Sequence, residues 1–88
     1  MVRREYALAD QLFAAALNAN EEQKSLGSNE LALILNDRAV ARMHLSRNED
    51  ASADLQRAIG ILEEGYVNDD IGLGKAIGSL AIVRKADA

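Results

Sequence analysis

The stretch that decides the fold is residues 35–59, LNDRAVARMHLSRNEDASADLQRAI. At helical spacing it divides into two amphipathic segments that are joined by a short polar turn. One face of the first segment carries Ala39 and Met43. One face of the second segment carries four residues: Ala51, Leu55, Ala58 and Ile59. Alanine side chains let two helix backbones approach closely while larger apolar side chains fill the space around them, so the stretch predicts a helical hairpin.

Composition limits what the rest of the chain can be. Its 88 residues suffice for one small domain, which we expect to span residues 1–88. The chain has no proline, so nothing forbids long helices. It has no cysteine and a single histidine, which excludes disulfides, thiolate catalysis, Cys-ligated metal sites and zinc sites with a pair of histidines.

Charge and hydropathy narrow the class of protein further. The net charge is −4, acids and bases are interspersed, and no basic stripe suits a nucleic acid. No apolar run approaches the roughly 20 residues of a membrane span, and the N-terminal residues lack the apolar region of a signal peptide. We expect a soluble, intracellular protein of the cytoplasm that binds neither nucleic acid nor membrane.

Apolar periodicity predicts four helices, at about residues 2–19, 29–45, 49–64 and 70–85. Three loop residues are expected to cap them: Ser28 or Asn29 at the start of the second helix, and Ser46 in a capping box with Glu49 at the start of the third. Asn48 is a competing cap there. Gly65 is a candidate left-handed cap at the end of the third helix, and Asn68, Asp69 and Asp70 can cap the fourth.

The fourth helix contains three glycines, Gly72, Gly74 and Gly78. Each weakens a helix by about 0.8–1 kcal/mol relative to alanine. Either a neighbouring backbone approaches this helix very closely, or the helix is the loosest part of the fold. The sequence leaves both alternatives open.

An offset of 42 residues aligns the chain with itself through helix, loop and helix. It places small residues on small residues, as in the pairs Ala9/Ala51, Ala16/Ala58 and Ala39/Ala81. It places apolar residues on apolar residues, as in the pairs Phe13/Leu55, Leu17/Ile59, Leu31/Leu73, Leu35/Ile77 and Val40/Ile82. We interpret this agreement as an internal repeat.

The order of small and large residues resembles the tetratricopeptide repeat, in which a small residue on helix A meets two alanines on helix B. Its unit usually has about 34 residues, and the longer period is similar to the repeats of kinesin light chains and of bacterial maltose-regulator-like sensors. The resemblance covers nearly the whole chain, as helices B, A, B and A. There are departures: Ser46 replaces a common glycine, Arg42 replaces a common aromatic residue, and the proline after helix B is missing.

The resemblance implies an all-α fold of antiparallel helical hairpins in a right-handed array, and a closed four-helix bundle is the alternative. It also implies a non-enzymatic protein–protein interaction module, in which the A helices line a concave groove for a peptide or helix of a partner protein. Carried over by position, the groove residues are Leu33, Asn36, Asp37, Val40, Met43, His44, Lys75, Ser79 and Ile82. A clamp for a C-terminal carboxylate is rejected because Asp37 occupies its asparagine position.

Self-assembly is the alternative function, since an isolated unit of a helical array leaves its end helices uncovered. A homo-oligomer would form through the terminal helices, with four candidate contact residues: Tyr6, Phe13, Ile77 and Leu80. Histidine phosphotransfer through His44 is a minor third hypothesis.

The remaining polar patterns indicate no catalytic, metal or cofactor site. The acidic pairs Asp50/Asp54 and Glu63/Glu64 are interpreted as solvated helix faces, because no Glu-x-x-His motif accompanies them. Gly72-x-Gly74 lacks the third glycine and the preceding strand of a dinucleotide-binding loop.

Overall fold

A computed structural model describes residues 3–64 and 70–87 of the chain. This part consists of four α-helices and contains no strand: α1 (Arg3–Gln23), α2 (Ser28–His44), α3 (Asn48–Glu64) and α4 (Asp70–Asp87). The prediction of an all-α fold is therefore confirmed. None of the described helices is long and apolar enough to cross a membrane.

The end of α1 lies further along the chain than the sequence predicts. The helix continues past Ala19 to Gln23 because Glu21, Glu22 and Gln23 are good helix formers. Its last turn is closed by Asn20, whose backbone oxygen accepts a hydrogen bond from the Lys24 N–H at 2.7 Å. The Asn20 side-chain oxygen also accepts one from the Leu26 N–H at 2.9 Å, which ties the following loop to the helix.

The two described loops use other caps than those predicted. Gly27 occupies the N-cap of α2 without a side-chain hydrogen bond, and Ser28 is already helical. Ser46 adopts φ 61° and closes α2: its N–H binds the Met43 oxygen, while the Arg47 N–H binds the Arg42 oxygen. These two bonds form a Schellman motif. The expected capping box at Ser46 is therefore wrong, and the caps predicted at Gly65, Asn68 and Asp69 lie outside the described residues.

The four helices form an open arrangement around α2. Helix α2 packs against α1, α3 and α4, and α3 also packs against α4. Within the described ranges, no Cα atom of α1 lies within 8 Å of one in α3 or α4. A closed four-helix bundle would place α1 beside α4, so that alternative does not describe the fold.

The core lies where the helical periodicity predicts it. The side chains of Leu35, Ala39, Ala51, Leu55 and Ala58 are all fully buried. The small ones allow the close contact of α2 with α3. Each buried leucine contributes about 1.5–3 kcal/mol of hydrophobic stabilisation. Two clusters of buried residues form along the molecule, and the half-buried Ile59 packs against both of them.

The glycines of α4 do not serve a close contact within the described structure. A Cβ atom added at Gly74 or at Gly78 would have no described atom within 4 Å. Ile77, which lies between them, is half exposed. Close approach of a described backbone is thus excluded at these two positions, and α4 carries their full cost in helix propensity.

Candidate interaction surface

The predicted groove residues mostly share one side of the molecule. On α2 the exposed side chains of Leu33, Asp37, Val40 and His44 recur at helical spacing along one stripe. The neighbouring helix α4 presents Lys75 and Ile82, which are exposed, and Ser79, which is half-buried. We call these seven residues the α2–α4 surface. Asn36 and Met43 lie deeper: Asn36 is buried, and Met43 packs against the core cluster that contains Ala39.

A cavity of about 290 Å³ opens at one end of the α2–α4 surface, among α2, α3 and α4. Its apolar walls come from Ala32, Leu33 and Leu62, and its polar lining includes Asn36, Glu30 and Lys75. Three of the predicted groove residues, Leu33, Asn36 and Lys75, therefore line a single cavity. The sequence did not indicate Glu30 or Leu62, because they reach the cavity through the packing of α2 against α3 and α4.

Asn36 presents an unusual polar atom to this cavity. The side chain is only 9 % exposed, and its Oδ1 atom has no hydrogen-bond partner among the described residues. A buried polar atom without a partner costs about 1–3 kcal/mol, and most such atoms in folded proteins are paired. The Asn36 carboxamide is thus an acceptor that a bound molecule could satisfy.

A network of ion pairs joins α1, α2 and α3 on the far side of α2. Asp54 of α3 is 5 % exposed and accepts hydrogen bonds from Arg38 and Arg42 of α2. Arg42 also donates to Asp10 of α1, at 3.0 Å. Arg47 donates to Asp10 at 2.8 Å and thereby extends the network into the α2–α3 turn.

The interpretation of Asp54 as a solvated residue is therefore wrong. Its partner in that interpretation, Asp50, is indeed exposed and binds only Arg47, across three residues. The hydrogen bond to Asp50 raises the pKa of the Arg47 guanidinium. A signal was present in the sequence: Asp54 interrupts an otherwise apolar face, and Arg38 and Arg42 stand one turn apart on the facing helix.

His44 contacts α1 at the other end of the α2–α4 surface. Its ring stacks on that of Tyr6, with centroids 4.1 Å apart and the planes inclined by 10°. Within the described residues, no three acidic or histidine side chains cluster in a way that could hold a metal ion.

The four residues predicted for self-association lie in different environments. Tyr6 and Phe13 on α1 are half-buried, and Ile77 on α4 is half exposed. Leu80 is buried in the core cluster with Leu55 and Val83, so it offers no surface to a second molecule in this arrangement. Two other exposed leucines, Leu8 and Leu12, lie one turn apart on α1.

Comparison with known proteins leaves the family open. No family model, curated protein or solved structure matches this chain. The resemblance to tetratricopeptide repeats therefore stays a prediction, which depends on the order of small and apolar residues alone.

Proposed function

We propose that this chain is a non-enzymatic protein-interaction module that binds a peptide or helix of a partner protein along the α2–α4 surface. One observation carries the proposal: the Asn36 Oδ1 atom is buried, without a described partner, at an apolar cavity. A partner that supplied an N–H group there would form a hydrogen bond that the free protein lacks.

Exposed apolar side chains on the same surface support the proposal. Leu33 and Val40 on α2 and Ile82 on α4 are 53 %, 38 % and 60 % exposed. A single exposed apolar residue is ordinary on a protein surface, but apolar groups that share one surface with polar ones are typical of interaction sites. A bound helix or extended segment would bury all three residues together.

The test is selection of ligands from a random peptide library that is displayed on phage. We expect peptides that bind the wild-type chain and lose binding to the Val40→Glu and Asn36→Ala variants, each with an unchanged circular dichroism spectrum. Leu12→Glu is the matched control, because Leu12 is as exposed as Ile82 but lies on α1. Failure to select any peptide, or equal binding by Val40→Glu, would contradict the proposal.

Self-assembly through the end helices is a second candidate function. The observation that favours it is the uncovered apolar surface of both end helices, with Leu8 and Leu12 on α1 and Ile77 on α4. Because α1 and α4 do not touch, a contact between α4 of one copy and α1 of another would be heterologous and could extend into a chain.

The solution mass over a concentration series, measured by light scattering after gel filtration, tests this candidate. Assembly predicts a mass that rises with concentration and that falls to the monomer value in Leu12→Glu or Ile77→Glu. A monomer at every concentration would exclude it, while Val40→Glu should leave the mass unchanged in either case.

A further inference from the structure

The cavity at Asn36 has the size and lining for one side chain of a bound segment. Its volume of about 290 Å³ is at the lower limit for sites that hold whole small molecules, which begin near 300 Å³. Ala32, Leu33 and Leu62 form an apolar wall. Such a site suits a single apolar anchor residue rather than a cofactor.

The one unpaired atom in the lining restricts the chemistry of what is bound there. Asn36 Oδ1 can only accept a hydrogen bond, so an occupant must bring an N–H or O–H group next to its apolar part. A leucine-like residue within a peptide does this with its own backbone, because each peptide unit carries an N–H close to the side chain. A carbonyl or carboxylate oxygen at the same place would be repelled.

The rim of the cavity carries two opposite charges on two different helices. Glu30 lies in the first turn of α2, and Lys75 lies on α4. Both side chains are exposed, and neither is in an ion pair within the described residues. A segment that lies across the cavity therefore meets a negative charge on one side of its anchor and a positive charge on the other.

From these three features we infer that the bound segment is dipolar: an apolar anchor fills the cavity, its backbone N–H donates to Asn36 Oδ1, a basic residue faces Glu30 and an acidic residue faces Lys75. The inference rests on the proposed function and adds the class of partner and a fixed direction of binding. Charges at a rim contribute more to orientation and to choice of partner than to affinity.

Charge reversal tests the direction of binding. Peptides that are selected against the wild-type chain are resynthesised with the charged residues on either side of the anchor exchanged. We expect the exchange to weaken binding by about fivefold at low salt and by less at high salt. In the double variant Glu30→Lys with Lys75→Glu, the exchanged peptide should bind better than the original.

A neutral variant guards against misfolding of the reversed one. Glu30→Gln with Lys75→Gln should bind both peptides equally while its melting temperature stays near that of the wild type. If selected peptides need Val40 but show no charge preference in any variant, the dipolar ligand is excluded and the proposed function stands. If no peptide is selected at all, both fail.

The hydrogen bond to Asn36 has its own test. Each amide of a selected peptide near the anchor is replaced in turn by an ester, which removes one N–H. We expect one ester position to weaken binding to the wild type by about tenfold and to make no difference with Asn36→Leu. An ester effect of the same size in both proteins would contradict the assignment of Asn36 as the acceptor.

Discussion

Arg38 on α2 binds Asp54 on α3 through two hydrogen bonds, of 2.9 Å from Nε and 2.6 Å from Nη2. Such a bidentate pair fixes both the distance and the rotation of the two helices. The same carboxylate accepts a third bond from Arg42, at 3.2 Å, and Arg42 in turn binds Asp10 of α1. One buried acid thus sets the relative positions of three helices, although α1 and α3 do not pack against each other.

Loss of the Asp54 carboxylate should destabilise the protein strongly. In Asp54→Asn the two arginines keep their charges but lose the carboxylate that balances them, and breaking a buried pair in this way costs about 3–5 kcal/mol. Urea denaturation followed by circular dichroism measures the change as a lower midpoint. Asp50→Asn is the matched control, since that exposed pair with Arg47 contributes at most about 1 kcal/mol. Similar losses in both variants would contradict a special role of Asp54.

Replacement of Ser46 by glycine should stabilise the protein. Ser46 adopts φ 61°, a left-handed conformation that costs an L-residue with a Cβ atom about 1–2 kcal/mol. Ser46→Gly removes that cost, so we expect about 1 kcal/mol of added stability in urea denaturation. Ser52→Gly, the same change in the interior of α3, should have the opposite sign, because glycine weakens a helix. Destabilisation by Ser46→Gly would mean that its side chain contributes more than the backbone strain.

Alanine at Gly74 and Gly78 should stabilise the isolated chain. Each replacement adds about 0.8–1 kcal/mol of helix propensity and meets no described atom. Gly60→Ala in α3 is a control with equally open surroundings, and all three variants should melt at a higher temperature. If the chain self-associates through α4, only the α4 variants should also change the solution mass. A lower melting temperature for Gly74→Ala alone would indicate a contact at that position.

The sequence predicts the helices and the core well because both follow from apolar periodicity. Leu35 and Ala39 on one helix and Leu55 and Ala58 on the next are fully buried, as their spacing indicates. The burial of Asp54 could not be predicted in the same way. An acidic residue is usually solvated, and its pairing with Arg38 depends on how two helices align across 16 residues of chain.

The candidate site shows the same limit. Position within the resembling family singles out Asn36 and Leu33, which do line the cavity. Nothing in the sequence says that the Asn36 Oδ1 atom lacks a partner, because that depends on which groups of three helices surround it. The end of α1 is a similar case, since Asn20 reads as a helix breaker until its side chain is seen to bind Leu26.

Asn36 offers the test that separates stability from binding. If its buried carboxamide serves a partner, replacing it with leucine removes an unpaired polar atom from an apolar site, and the free protein should gain about 1 kcal/mol. The same variant should lose the peptides that the wild type selects. Asn18→Leu, at an exposed position of α1, corrects for the difference in helix propensity. A structural role would give the reverse result for Asn36→Leu, with a lower urea midpoint, and the acceptor atom would then serve the fold rather than a ligand.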